Sequence, residues 1–205
     1  MSRLLRYYLE NYCYFVSVKT YASKKIFQDK QAAGILVKVV FEVKAKLNFL
    51  LPAFVVMPEH LHLLIVPDKR NTISDVMRHI KGRFSRRFSQ GINSPDYEGE
   101  GNWGSGRSEK ISLYMNGNLP VSHKDSNSHY LSRNKNLPRS RRAGNLSQPR
   151  SKVWQNGFYD HVIRNEKDFL SRLEYVCNNP VKAGLIERSE DYQFLFIDKN
   201  LEKYL

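Results

Sequence analysis

The order of apolar segments predicts an α+β fold, in which a ferredoxin-like antiparallel sheet carries its helices on one face. Three observations support this fold class. Apolar residues in 31–49 recur every four positions, which is typical of a helix, whereas 53–57 and 60–66 are rich in β-forming residues. Only a Pro-Glu break separates those two β-forming runs, which favours a hairpin. Along the whole chain, the predicted order is strand, helix, strand, strand, helix, insertion, strand, helix.

The N-terminal half begins with a strand at 13–19, where β-forming residues dominate. The helix at 31–49 and the hairpin follow, and Asn71 or Thr72 can cap a second helix. The apolar side of this second helix, called here the basic helix, consists of Ile73, Val76, Met77, Ile80 and Phe84. Its cations are Arg78, Lys81, Arg83, Arg86 and Arg87. Such a face either contacts a phosphate backbone or is simply solvated.

Residues 89–151 differ in composition from the rest of the chain. Gly, Ser, Asn and Arg dominate there, and the apolar periodicity is lost. A structureless stretch of this length is unusual inside a compact domain. We therefore interpret 89–151 as a basic and partly disordered insertion into a single domain formed by 1–88 and 152–205.

After the insertion, the sequence predicts one more strand and one more helix. The strand falls within 153–164, where β-forming residues follow a turn. Asn165 is the expected N-cap of the helix, with Asp168 at the third helical position as an Asp variant of the capping box. Pro180 is expected to end the helix, because the residue before a proline disfavours helical geometry. Residues 181–205 give no clear assignment.

The charge balance of the 205 residues indicates a polyanionic partner. Lys and Arg number 33 against 20 Asp and Glu, a net charge of +13, and a field of this sign attracts nucleic acid. Charge indicates a partner class but no reaction, because many basic proteins bind polyanions without chemistry. Cys13 and Cys177 lack the spacing of a zinc knuckle or a disulfide framework. The start lacks a secretory signal and no run of eighteen apolar residues occurs, so we expect a cytoplasmic protein without a membrane partner.

Two histidines open the third predicted strand. Because side chains two positions apart on a strand point to the same face, His60 and His62 lie roughly 6–7 Å apart at the backbone and can converge on one divalent cation. Histidines on a strand are also common as structural or exposed residues, so the pair alone leaves both interpretations open.

A tyrosine late in the last helix is the candidate nucleophile. Tyr175 precedes Asn179 by one helical turn, so both lie on nearly the same face. A phenol can attack a phosphodiester and form a covalent phosphotyrosine link. The amide oxygen of Asn179 is a candidate third ligand beside two imidazoles, and such mixed ligation suits a catalytic Mg²⁺ or Mn²⁺. Tyr159 and Tyr192 are the alternative nucleophiles, although Tyr159 on a strand also suits core packing.

Four motifs occur in a fixed order along the chain. They are His60-Leu61-His62 after Met57-Pro58-Glu59, Ile80-Lys81-Gly82, the segment 154–164 that begins Trp154-Gln155-Asn156-Gly157, and the segment 175–185 that begins Tyr175-Val176-Cys177-Asn178-Asn179-Pro180. Together they resemble the IS200/IS605-type transposases, the single-tyrosine HUH nucleases, and among these most of all the REP-associated tyrosine transposases. An HxH motif alone is weak, whereas the ordered set is specific. The long segment 89–151 departs from the family pattern.

The resemblance implies a mechanism for this chain. It implies that His60 and His62 bind the divalent metal, with Asn179 at the position of the third ligand. Tyr175 would attack a phosphate of single-stranded DNA, leaving a 5′-phosphotyrosine link and a free 3′-hydroxyl, and another 3′-hydroxyl would then join strands by the reverse step. The family reads hairpin DNA beside the cleavage site, and the basic helix and the insertion are our candidates for that contact.

Two other functions fit the same residues. One is a domesticated protein that binds DNA hairpins without cutting them, and the other is a replication-type nickase with the same histidine pair. The resemblance also leaves open whether the chain works as a monomer or as a homodimer whose tyrosine helix serves the partner's metal site.

Overall fold

The computed structural model describes residues 12–90 and 152–204 of the chain. Within them, the helices and strands follow the predicted order, with one additional short strand near the end. The elements are β1 (Tyr14–Lys19), α1 (Lys30–Leu47), β2 (Leu50–Met57), β3 (His60–Val66), α2 (Ile73–Ser89), β4 (Tyr159–Val162), α3 (Glu166–Lys182) and β5 (Leu195–Ile197). Apart from its first two positions, the predicted insertion at 89–151 lies outside the described residues, so its interpretation stays a prediction.

The five strands form one sheet in the order β4-β1-β3-β2-β5, and every pairing is antiparallel. The predicted hairpin of β2 and β3 is confirmed, with Met57 opposite His60 and Val55 opposite His62. On its other edge β3 pairs with β1, which places Ser17 opposite His62. The strand that carries both histidines is therefore the central strand, held by a ladder of hydrogen bonds on each side.

Helices cover both faces of the sheet. Leu61 and Leu63 belong to the core that α1 and α2 form on one face. The alternate positions of the sheet, such as Phe15 and Leu64, belong to a second core with Val176 of α3. The α+β class and the antiparallel sheet are confirmed, but only α1 and α2 share a face as expected. α3 takes the opposite face, because the strands are apolar on both sides and the amphipathic α3 buries its apolar stripe there.

Side-chain caps fix the starts of α2 and α3 at Thr72 and Asn165, as predicted. The capping box expected at Asp168 is wrong, because the Asp168 carboxylate contacts His161 and the Arg164 N–H instead of the Asn165 N–H. Thr72 and Asp75 form a capping box, in which Thr72 Oγ1 accepts from the Asp75 N–H at 3.2 Å and Asp75 Oδ2 accepts from the Thr72 N–H at 3.1 Å. Asn165 Oδ1 accepts from the Asp168 N–H at 2.9 Å. Each cap satisfies backbone donors that the first helical turn leaves unpaired.

The expected end of α3 at Pro180 is wrong, because the helix continues to Lys182. Its end is set by Gly184, whose φ of 66° lies in the left-handed region. The Gly184 N–H donates to the Val181 carbonyl at 2.9 Å and the Leu185 N–H donates to the Pro180 carbonyl at 3.0 Å. This is the Schellman pattern of hydrogen bonds. Pro180 lacks one donor near the end of the helix, which the last turn tolerates.

In the rest of the C-terminal region, the predicted strand is shorter than expected and an unassigned segment forms a further strand. Only Tyr159–Val162 of the predicted strand at 153–164 pairs as a strand, while Trp154 forms an isolated bridge with Thr20. The unassigned tail supplies β5, a strand of three residues that pairs with the edge of β2. Among the described residues, no helix combines the length and the apolarity needed to cross a membrane.

Candidate active site

The histidine pair lies on the α3 face of the central strand. Because β3 alternates its side chains, His60 and His62 point to the same face while Leu61 packs into the opposite core. The two imidazole centroids are 4.6 Å apart and the rings meet at 72°. The predicted convergence of the two side chains is therefore present.

His60 is held by the preceding residue. Its Nδ1 lies 2.9 Å from Oε1 of Glu59, and the side chain of His60 is 14% exposed. With the Nδ1 proton donated to this carboxylate, Nε2 keeps a lone pair for another partner. A carboxylate behind a histidine is the arrangement that orients metal-binding imidazoles. Sequence reasoning gave Glu59 no role, and the only signal was its position directly before the histidine motif.

His62 is buried, with 5% of its surface exposed. Neither of its ring nitrogens has a hydrogen-bond partner in the part of the chain that the structure describes. Burial, followed by the nearby His60 and Lys19, lowers the pKa of His62 to about 3, so the ring is neutral at neutral pH. A neutral imidazole with unpaired buried nitrogens is costly unless a ligand binds it, and this neutral form binds metal ions. The residue thus fits a metal site.

Tyr175 of α3 contacts one member of this pair, His62. Its ring centroid is 5.2 Å from that of His62, with 74° between the rings, and 5.7 Å from that of Phe15. Tyr175 is 39% exposed. The predicted meeting of the helix-borne phenol with the histidines occurs within a single chain. Tyr175 thus borders both His62 and solvent.

The two alternative tyrosines are placed less favourably. Tyr192 donates its hydroxyl to the Val56 carbonyl at 2.9 Å, and burial raises its pKa to about 12. Tyr159 is 57% exposed on β4, so the expectation of core packing is wrong, and its ring contacts Phe15 at 6.4 Å. Of the three tyrosines, Tyr175 is therefore the best placed against the histidines.

The third predicted ligand, Asn179, makes no hydrogen bond to either histidine within the described residues. Asn179 is half-buried on α3, one turn after Tyr175, and its carboxamide makes no hydrogen bond within 12–90 and 152–204. The described residues contain no group of three or more His, Cys, Asp and Glu side chains that could hold a metal ion. A complete site therefore needs an oxygen ligand of another kind, such as an amide or a substrate phosphate.

The basic helix, α2, lies on the sheet face opposite the histidines, since its apolar side packs with Leu61 and Leu63. Most of its cations already have partners. Arg87 forms a two-point ion pair with Glu42 at 2.8 and 3.1 Å, and Arg83 lies 3.6 Å from the same carboxylate. Arg78 pairs with Asp75 at 2.7 Å.

Lys81 also has internal partners, whereas Arg86 borders open space. Lys81 donates to the carbonyls of Gln155 and Gly157 at 2.9 and 2.7 Å. Exposed Arg86 lines a groove of about 500 Å³ between α2 and 152–157, together with Lys152. The basic helix therefore does not form one continuous surface with the histidine pair. Its predicted contact with DNA stays a prediction.

From the sequence, Trp154 is expected to be a packing residue, with base stacking as the alternative, and His161 to be structural or exposed. Trp154 is 5% exposed and donates its Nε1–H to the Lys81 carbonyl at 3.2 Å, so it is a packing residue. His161 is structural, since its Nε2 lies 2.8 Å from Oδ2 of Asp168 on α3. The two residues are seven positions apart, on a strand and on the following helix, so neither helical nor strand periodicity predicted this pair.

Comparisons with known proteins show which chains this one is similar to. The family model described as "Transposase IS200 like" matches residues 9–106. A Haemophilus influenzae chain assigned as a REP-associated tyrosine transposase is 36% identical over 61 residues, which is 30% of each chain. The REP-associated tyrosine transposase of Escherichia coli is 34% identical over 53 residues, or 26% of this chain and 32% of that one. The matched segments thus span only about a third of these curated relatives.

A solved structure shares the fold over nearly the whole chain. It is described as a REP-associated tyrosine transposase bound to a REP hairpin, and the alignment has a TM-score of 0.58. It covers 95% of this chain and 82% of the other, at 22% identity. At this identity the likeness shows the fold alone, while the family model and the curated relatives show that parts of the chain are similar to IS200-like transposases.

Proposed function

We propose that this protein cleaves and rejoins single-stranded DNA through a covalent link between Tyr175 and a 5′-phosphate. The observation that carries this proposal is the contact between Tyr175 and His62, whose ring centroids are 5.2 Å apart. It supports a nucleophile and a metal ligand that act on the same phosphate. The similarity of residues 9–106 to the IS200-like transposase family supports the same reaction class.

His60, His62 and Asn179 would hold a divalent cation, Mg²⁺ or Mn²⁺. The unpaired nitrogens of His62 and the pairing of His60 with Glu59 support this assignment. When bound, the cation supplies Lewis-acid polarisation of the scissile phosphate. Burial keeps His62 neutral, so no proton has to leave this ring before a cation binds.

In the cleavage step, the Tyr175 oxygen attacks phosphorus and displaces the 3′-oxygen of the adjoining nucleotide. A P–O bond to tyrosine forms while the P–O3′ bond breaks, and the phenolic proton balances the charge on the departing oxygen. Because one phosphodiester replaces another, a second 3′-hydroxyl can attack and restore the phenol. The exchange therefore joins strands without an external energy source.

The proposed DNA partner is a single strand that carries a hairpin. The net charge of +13 favours such a polyanion. The groove beside α2 exposes Arg86 and Lys152, and it lies on the sheet face opposite the histidines. We propose that this groove binds DNA outside the cleavage site, so that the strand would pass around the sheet to reach Tyr175.

Because Tyr175 and His62 of the same chain are in contact, we also propose that one copy can form a complete site. A mixture of Tyr175→Phe and His62→Leu chains tests this arrangement. If the site forms within one copy, the mixture stays inactive, because neither chain holds both groups. Recovery of cleavage in the mixture would instead indicate that the tyrosine serves a partner's histidines.

The decisive test is covalent capture of DNA. The protein is incubated with Mn²⁺ and a panel of single-stranded hairpin oligonucleotides, and adducts are scored on a denaturing gel. We expect a denaturation-resistant adduct from the unaltered protein and none from Tyr175→Phe, which should still bind the hairpin. Binding without any adduct from the unaltered protein would favour a hairpin-binding protein without strand cleavage.

Two variants serve as controls for this test. Tyr21 lies outside the histidine site and is 44% exposed, close to the 39% of Tyr175. Tyr21→Phe should therefore form the adduct normally. Tyr159→Phe removes the hydroxyl of the exposed alternative tyrosine next to Phe15, and this variant should also form the covalent adduct. Loss of the adduct in Tyr159→Phe, with retention in Tyr175→Phe, would reassign the nucleophile.

A further inference from the structure

One side of α3 carries a row of polar residues that faces the sheet. Asp168, Arg172 and Tyr175 are spaced four and three positions apart, which puts them on one helix face. Each has a partner on the strands below: Asp168 contacts His161, Arg172 contacts Phe15 and Tyr175 contacts His62. Arg172 is thus the neighbour of the proposed nucleophile, one turn earlier on the helix.

The ring of Phe15 connects Arg172 to the reacting groups. The guanidinium carbon of Arg172 lies 5.5 Å from the Phe15 centroid. The same ring is 5.2 Å from the ring of His62 and 5.7 Å from the ring of Tyr175. The side chain of Arg172 is 33% exposed, so it borders both the aromatic cluster and solvent.

The guanidinium has hydrogen-bonding capacity to spare. Its Nε lies 3.4 Å from Oδ1 of Asp168, yet this buried nitrogen has no aligned hydrogen-bond partner within the described residues. The other oxygen of Asp168 is occupied by His161 at 2.8 Å and by the Arg164 N–H at 3.4 Å. Arg172 carries five N–H donors, and within the described residues their one polar contact is this poorly aligned approach of Nε to Asp168.

We propose that Arg172 binds a phosphate of the DNA strand next to the phosphate that Tyr175 attacks. A planar guanidinium matches the paired oxygens of a phosphate, and Arg is the side chain of choice for such two-point contacts. Asp168 acts as a positioning residue, because its contacts with His161 and Arg172 hold the guanidinium over Phe15. This inference rests on the proposed function and extends it to a substrate-binding residue that the motifs did not indicate.

The test measures binding without cleavage. Tyr175→Phe protein is titrated with the hairpin oligonucleotide of the panel that it binds most tightly, and the dissociation constant is determined over a series of salt concentrations. Each contact with a phosphate of a single strand contributes about −0.7 to the slope of the logarithm of the association constant against the logarithm of the salt concentration. Adding Arg172→Gln should weaken binding about tenfold or more and reduce the steepness of the slope by about 0.7.

Arg188→Gln is the matched control, because Arg188 is an exposed guanidinium that pairs with Asp191 away from the cluster. It should leave both affinity and slope unchanged. An Arg172→Gln slope equal to that of this control would overturn the proposal. Because this titration measures binding and needs no cleavage, it still tests the Arg172 contact if the unaltered protein forms no covalent adduct.

Arg172→Lys covers the case in which Arg172→Gln does not fold. Lysine keeps the charge but loses the two-point geometry. We therefore expect the salt slope to be preserved while the dissociation constant rises several-fold. A lysine variant with the affinity of the Tyr175→Phe parent would contradict the contact.

Discussion

Replacement of His62 by leucine should stabilise the metal-free protein, although it removes a proposed ligand. The two ring nitrogens of His62 are buried and have no hydrogen-bond partner within the described residues. An unsatisfied buried polar group costs about 1–3 kcal/mol. Leucine removes this cost but loses the stacking with Phe15 at 5.2 Å, worth about 0.5–1.5 kcal/mol. We expect a net gain of roughly 1 kcal/mol in the free energy of unfolding.

The assay is urea unfolding at pH 7 in the presence of a chelator, followed by circular dichroism. His79→Leu is the matched control, because His79 Nδ1 already lies 2.8 Å from the Asp75 carbonyl and its replacement gains nothing. Excess Mn²⁺ should then raise the stability of the unaltered protein, by about 2.7 kcal/mol at a hundredfold excess over the dissociation constant, and leave His62→Leu unchanged. Destabilisation of the metal-free His62→Leu protein by more than about 1 kcal/mol would refute the reasoning, because it would mean that His62 is a satisfied core residue.

Two further predictions concern stability. The pKa of His62 in the folded protein is about 3, below its ordinary value of about 6.5. As the pH falls below about 6.5, this histidine is therefore protonated in the unfolded chain but not in the folded one, and the free energy of unfolding decreases. In metal-free protein, the free energy of unfolding should be about 2.5 kcal/mol lower at pH 4.5 than at pH 7. Denaturant unfolding should detect this loss in the unaltered protein but not in His62→Leu. Gly184→Ala should cost about 1 kcal/mol because φ is positive there. Gly82→Ala is the control, because Gly82 lies inside α2 with open space around it, and this variant should be neutral or slightly stabilising. If thermal unfolding shifts equally in the two variants, the claim that the left-handed Gly184 ends α3 is contradicted.

The local features of the fold follow from sequence periodicity. Alternation along β3 predicts that His60 and His62 share a face, and the spacing of Tyr175 and Asn179 predicts a common side of α3. Caps at Thr72 and Asn165 are equally local, because a side chain reaches only the backbone of its own first turn. These features need no knowledge of the tertiary arrangement.

Features that depend on long-range packing were not predictable from one sequence. An apolar stripe on a helix predicts which side of the helix is buried, but not which face of the sheet the helix covers. The position of α3 on the face opposite α1 and α2 was therefore not predicted. The pairing of Arg87 with Glu42 joins residues 45 positions apart, and it reduces the charge that the basic helix can offer to DNA. Pro180 misled the assignment because the left-handed Gly184, rather than the proline, ends the helix.

The central claim, that Tyr175 is the residue that attacks DNA, can be tested at residue level. The adduct formed with Mn²⁺ and a hairpin oligonucleotide is digested with protease and nuclease, and the modified peptide is mapped by mass spectrometry. The account predicts a nucleotide attached through its 5′-phosphate to the oxygen of Tyr175. Attachment at Tyr159 or at any other residue would contradict it.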